Sequence, residues 1–188
     1  MKRILSIILL CATLTSGCDV FGQVNWQTIE QASKVDLTKN KKMFFVDFAT
    51  SWCGWCKRMD RESFSDPVVS AILNKYYIPV KFDAEGSSTF TWNGKKYSNP
   101  QVAGQKPQVH PFTRAMLGKS IGFPSFVFLT KDGTLHKIEQ GYLDAYNLSV
   151  LLWYYCSGDS RSYTYEEYVR VFQEEIKPEM MKKLGLGK

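Results

Sequence analysis

Two cysteines with two residues between them, Cys53 and Cys56, carry the sharpest chemical signal in the chain. They follow an apolar, strand-like run from Met43 to Phe48 and a short loop, and they open a stretch with helical character. On the first turn of a helix, residues three apart share a face. Two such sulfurs can close a disulfide without moving the backbone. The unpaired N–H groups and partial positive charge at a helix N-terminus favour thiolate over thiol. Cysteines in that setting have pKa values lowered to roughly 3.5–7.5, against about 8.5 for a free one. Cys53 is therefore the candidate nucleophile and Cys56 the shielded resolving thiol of a redox-active disulfide. Asp47 lies six positions before Cys53. A carboxylate among Phe44, Phe45 and Phe48 is expected to hold its proton more tightly, because burial disfavours the charged form. The competing readings are a static disulfide or half of a zinc site. Zinc wants four Cys or His ligands at characteristic spacings. Past the leader the chain offers only His110, His136 and Cys156 besides the pair, none in motif spacing. No metal and no organic cofactor is expected.

The run Asp47, Phe48, Trp52, Cys53, Gly54, Cys56, Lys57 resembles the active-site pattern of the thioredoxin family, Asp-Phe-x-x-x-Trp-Cys-Gly-x-Cys-Lys. Trp55 stands where thioredoxin itself has proline. The longer run from Cys56 to Val69 is similar to the C-terminal thioredoxin domain of membrane thiol–disulfide interchange proteins and to secreted one-domain relatives of bacterial envelopes. The similarity covers about Val24 to Trp153. It implies an α/β fold, a thioredoxin-like three-layer sandwich with a central mixed β-sheet and helices on both faces. It also implies that Asp47 relays protons to and from the resolving cysteine. Pro124, in Ile121-Gly122-Phe123-Pro124-Ser125, takes the place of a family proline whose preceding peptide bond is cis and which packs against the cysteines. The backbone of Phe123 would then be free to pair with an extended substrate strand. Trp52 and Trp55 flank the cysteines as a flat apolar surface for a docking polypeptide. Lys57 either assists thiolate formation or is a solvated helix charge.

The elements that must position these residues are legible in outline. The chain has 188 residues, 44% of them hydrophobic and 14% aromatic, enough to bury the core of one domain. Lys2 and Arg3 followed by the apolar stretch Ile4 to Leu14 read as a signal peptide over residues 1–22. Export would bring the pair into an oxidising compartment, the periplasm or cell envelope. Two routes of processing stay open. Leu14-Thr15-Ser16-Gly17-Cys18 resembles a relaxed lipobox, which would lipidate Cys18 and anchor the protein to the membrane; alternatively a signal peptidase cuts after Gly22. The second route removes Lys2, Arg3 and Asp19 and takes the net charge from +6 to +5. Basic residues are dispersed, without the clustered stripe that nucleic-acid binding needs. No run of about 18 apolar residues suggests a membrane span.

Asn25 is expected to cap a first helix carrying Trp26, Ile29 and Ala32. After the cysteine helix, Asp66-Pro67 starts another helix with Val68, Val69, Ile72 and Leu73 on its apolar face. Ile78 to Asp83 alternates as a strand. An insertion at about 85–118 contains an Asn93-Gly94 hairpin signal and a short helix from Phe112 to Leu117. It either shapes substrate access or covers a sheet edge. Phe126 to Leu129 and Leu135 to Gln140 are strands about a Lys131-Asp132-Gly133 turn, and Asp144 or Asn147 begins a helix ending near Cys156. The thioredoxin-like domain is placed at 23–157. Thr164 with Glu167 forms a capping box for a helix from Tyr165 to Ile176, part of an extension over 158–188. Cys156 reads as a small buried hydrophobe, and His110 and His136 as surface or packing residues.

The resulting expectation is an exported thiol–disulfide oxidoreductase that reduces protein disulfides and is itself re-reduced by a membrane electron-donor protein. The rivals are an oxidase or isomerase with the same site, a thioredoxin-fold binding or chaperone module, and an inert structural disulfide.

Overall fold

The computed structural model describes residues 22–187. Its centre is strand β1 (Met43–Ala49), flanked on one side by β2 (Tyr77–Asp83) and on the other by β5 (Ser125–Leu129), with β6 (Leu135–Gln140) at the far edge. β1 runs parallel to β2 and antiparallel to β5, and β5 is antiparallel to β6. The sheet is therefore mixed, as expected. Five consecutive residues of β1, Phe44 to Phe48, are buried. Such a run suits a strand covered on both faces. β2 carries Pro79, a residue without a backbone donor, and lies at the edge of the sheet, where a missing donor is tolerated. A single bridge from Gln27 to Val80 covers that edge.

Side-chain alternation divides β1 into two chemistries. Phe45 enters a cluster with Met59 of helix α2 (Gly54–Glu62), Val69, Ile72 and Leu73 of α3 (Pro67–Tyr76), Phe126, and Leu148, Leu151 and Leu152 of α5 (Ala145–Ser157). Phe44, Val46 and Phe48 enter a second cluster with Ile29 and Ala32 of α1 (Ile29–Ala32) and Phe112 of α4 (Pro111–Leu117). The same cluster takes in Phe90 and Trp92 of β3 (Thr89–Trp92) and Tyr97 of β4 (Lys95–Ser98).

Capping residues set the helix starts. Asp66 accepts from the N–H groups of Val68 and Val69 with Pro67 behind it, and Asp144 accepts from Asn147. The first helix differs from expectation. It starts at Ile29 and is capped by Thr28, whose side chain and that of Gln31 form a reciprocal capping box. Asn25 and Trp26 precede it, and the backbone N–H of Asn25 is bound by the Asn74 side chain.

The insertion forms a hairpin, β3 and β4, with Asn93 and Gly94 both at positive φ, as a tight primed turn requires. Its tip docks on the β5–β6 turn. The indole N–H of Trp92 and the amide of Asn93 both donate to the Gly133 carbonyl at 3.1 Å. Gly133 stands at positive φ, and a Cβ there would crowd the Asn93 and Trp92 side chains at 3.0 and 3.2 Å, so both its backbone and its surroundings favour glycine.

The C-terminal extension contains α6 (Tyr165–Val171), a π-helical turn (Phe172–Ile176) and α7 (Lys177–Leu184). The Thr164–Glu167 capping box is present. Pro178 follows the π turn. It cannot donate to the carbonyl four residues back and would clash with it, a conflict that a one-residue register shift relieves. The extension is no appendage, because Tyr168, Phe172, Met180 and Leu184 are buried in the same cluster as Phe45.

Candidate active site

Cys53 is the N-cap of α2 and Cys56 lies in its first turn. The two sulfurs are bonded, with an S–S distance of 2.06 Å. Cys53 Sγ also accepts the backbone N–H of Cys56 at 3.1 Å. An N–H group and the positive end of α2 thus both point at the sulfur that would carry the thiolate charge. Both cysteines are buried, while Trp52 and Trp55 are 65% and 55% exposed. The pair is sunk between two projecting indoles.

Asp47 is buried on the β1 face that α2 covers with Cys56 and Met59. Its expected surroundings need correcting. Phe44 and Phe48 point to the opposite face, and the residues beside Asp47 in register are Lys81 of β2 and Phe126 of β5. The Lys81 ammonium donates to Asp47 Oδ2 at 2.6 Å and also to Asp60 on α2. Among the described residues, Asp47 Oδ1 has no hydrogen-bond partner. Burial pushes the Asp47 carboxyl up to about 6 against the opposing pull of Lys81. Burial alone would lower the Lys81 pKa, but its ion pairs with Asp47 and Asp60 outweigh that and raise it. Lys81 also lies over the rings of Trp26 and Phe64, at 5.1 and 5.2 Å. It opens with Asp60 onto a groove of about 690 Å³.

Two aromatic walls flank the dithiol. In the first, Trp52 meets Phe123 edge-on at 6.0 Å and its indole N–H donates to Glu85 Oε2 at 2.8 Å. The Phe123–Pro124 peptide bond is cis. Its loop is held by the Ser125 hydroxyl donating to the Gly122 carbonyl at 2.7 Å and by Gly141 N–H donating to Pro124 O at 2.9 Å. In the second wall, Trp55 lies 5.4 Å from the ring of Tyr142, and the Arg58 guanidinium sits over both rings. Glu62 accepts from Arg58 at 2.7 Å and from the Tyr142 hydroxyl at 2.9 Å. Each wall is thus held by a carboxylate.

The structure therefore joins Cys53 to Cys56, sets Trp52 against Phe123 and Trp55 against Tyr142, and buries Asp47 against Lys81. Sequence reasoning missed Lys81, Asp60, Glu85, Arg58 and Tyr142. The one available signal was a lysine in the middle of an otherwise apolar strand, Tyr77 to Phe82. His110 is a packing residue: it is buried, caps α4 by accepting from Phe112 N–H, and uses its other nitrogen on Ser88 O. His136 is exposed beside Tyr155. Burial pushes the Cys156 thiol up to about 12, and it packs against the first cluster. Among the described residues no group of three or more His, Cys, Asp or Glu could hold a metal ion. No described helix is long and apolar enough to cross a membrane. The leader and Cys18 lie outside the described residues.

Comparison with known proteins agrees with this fold. The thioredoxin-like domain profile matches residues 29–155. An uncharacterized Archaeoglobus fulgidus protein is 30% identical over 93 residues, covering 47% of this chain and 72% of that protein. An uncharacterized Caenorhabditis elegans protein is 28% identical over 121 residues, 63% of this chain but only 14% of that protein's length. Among solved structures, a thioredoxin from Thermus thermophilus superposes with a TM-score of 0.51 at 20% identity, covering 75% of this chain and 94% of that one. A thioredoxin-fold protein from Helicobacter pylori gives 0.53 at 12% identity, covering 77% and 84%. A mixed sheet with a close cysteine pair at a helix start points to thiol–disulfide exchange. With its sequence matched over residues 29–155, from α1 into the last turn of α5, the chain belongs to the thioredoxin-like domain family.

Proposed function

We propose that the chain is an exported protein-disulfide reductase working through Cys53 and Cys56. The observation that carries the reading is the seating of the pair at the start of α2, with Cys53 Sγ accepting an N–H, together with a buried Asp47 whose pKa is raised to about 6. In the dithiol form, the Cys53 thiolate attacks one sulfur of a substrate disulfide. A Cys53–substrate bond forms and the other substrate sulfur leaves as a thiolate, which takes a proton from water. Cys56 then gives its proton to Asp47 and attacks Cys53. The Cys53–Cys56 bond forms, the second substrate sulfur is released, and two electrons have passed to the substrate. A carboxyl with a pKa of about 6 is mostly ionised at neutral pH and can accept that proton. Trp52, Trp55 and Phe123 supply the docking surface, with Pro124 fixing the loop beside it.

In this reading the leader directs the chain to the cell envelope, with Cys18 as the anchoring residue if lipidated. The domain spans 23–157 and the extension 158–188. A membrane thiol–disulfide protein returns electrons to the oxidised pair, and no cofactor is needed. The decisive experiment equilibrates the protein with graded thiol buffers and follows Trp52 and Trp55 fluorescence. A potential near about −270 mV is expected for a reductase, and one near about −120 to −180 mV would make it an oxidant or isomerase. No exchange at all would leave only a binding or structural role.

A further inference from the structure

Trp52 stands beside the nucleophile yet is mostly solvent-exposed, so burial does little to fix its orientation. Its described contacts are the edge of Phe123 and the hydrogen bond to Glu85. Glu85 begins the insertion, and the insertion's far parts hold its short backbone segment. Gln101 Nε2 donates to the Glu85 carbonyl at 3.2 Å. The buried Asn99 donates to both the Gly86 and the Gln108 carbonyls, at 2.9 and 2.8 Å. His110 N–H and the Thr113 hydroxyl both donate to the Ala84 carbonyl, at 2.8 and 3.2 Å. On the other side, Ala84 N–H donates to Ala49 at the end of β1. Residues 84–86 are thus clamped between the strand that leads to the cysteines and the returning half of the insertion.

We propose that Glu85 is a positioning residue through which the 85–118 insertion sets the orientation of Trp52, and with it the affinity for polypeptide disulfides over small ones. The inference rests on the exchange reaction proposed above. A polypeptide must lie across the Trp52–Phe123 wall to reach Cys53, whereas a small disulfide needs only the sulfur. Loss of one hydrogen bond at an exposed indole is worth a modest factor, so the effect belongs in KM rather than in kcat.

The test measures kcat and KM for a disulfide-bonded polypeptide such as insulin and, separately, for a small aromatic disulfide. Glu85→Ala is expected to raise KM for the polypeptide by about three- to tenfold, with kcat and the small-disulfide rate within about twofold of the parent. Glu85→Gln, whose Oε1 still accepts the indole N–H, should restore most of the loss. In a Trp52→Phe background, Glu85→Ala should add nothing, because the two side chains act as one unit. Asn99→Ala should shift polypeptide KM in the same direction as Glu85→Ala. Where that variant unfolds, Gln101→Ala, at an exposed position, reads the same coupling with a smaller shift. Equal KM values for Glu85→Ala and the parent would overturn the proposal. So would an equal loss on both substrates, or additivity with Trp52→Phe. A parent that exchanges with neither substrate would instead sink the reductase reading.

Discussion

The two faces of β1 are opposites made from alternate residues of one strand. Toward α1, α4 and the hairpin, Phe44, Val46 and Phe48 join an apolar and aromatic cluster that includes Phe82, Phe112 and Trp92. Toward α2, the same strand buries Phe45 and then a carboxylate with one oxygen unpaired among the described residues. The first face lowers the free energy of the fold. The second buries a carboxylate where an apolar residue would cost less, and it faces the helix that carries the cysteine pair. Stability and chemistry are thus separated across a single strand, so substitutions on the two faces should change different observables.

The largest expected effect is on the chemical face. Cys56→Ser should reduce turnover to background and accumulate a mixed disulfide through Cys53, visible as a reducible adduct on non-reducing gels. Next, Phe112→Ala on the apolar face should cost about 3–5 kcal/mol in denaturant unfolding, because a fully buried ring leaves a cavity. The redox potential should stay at the parent value. A shifted potential would show that the faces are coupled.

Asp47→Asn sharpens the contrast because its sign is reversed. In the folded state the Asp47 carboxyl retains its proton to about pH 6, against about 3.8 for an ordinary aspartate. Between those values the folded protein binds more protons than the unfolded chain, so stability falls as pH rises through that window. The parent therefore carries a penalty above pH 6 that is absent below about pH 4. Asp47→Asn should stabilise the protein by on the order of 2–3 kcal/mol at pH 7–8, with the gain vanishing toward pH 4. The same variant should slow the resolving step and remove its rise through about pH 6. A pH-independent stability difference would mean that Asp47 does not titrate as its burial implies. The smallest effect belongs to the apolar face again. Thr28→Ala, which removes the α1 capping box, should cost about 1 kcal/mol and leave exchange untouched.

What the sequence disclosed follows the same division. Features encoded by neighbours were legible: the Cys53–Cys56 spacing, Asp66-Pro67, the Asn93-Gly94 turn and the Thr164–Glu167 box. Thr28 and Gln31 carried an equally local capping signature. It was obscured because Trp26 fits the helical period by chance. Lys81, Asp60, Glu85 and Tyr142 were not legible, because their partners are 21 to 80 positions away and are set by strand register and helix packing. The buried position of Asp47 was readable, but its surroundings were not. A strand pattern says which residues alternate, not which cross-strand neighbour shares a face.

The burial of Tyr168, Phe172, Met180 and Leu184 beside Phe45 also has a consequence in time. A ribosome makes the chain from its N-terminus at about 5–20 residues per second. Four buried residues of the first core are missing until α7 has emerged, long after the dithiol and its strand. A chain cut after Tyr155 should remain protease-sensitive and bind an apolar dye, while the full chain does neither. Equal protease resistance of the two would show that the family-matched segment closes on its own, and that folding is complete well before the last helix appears.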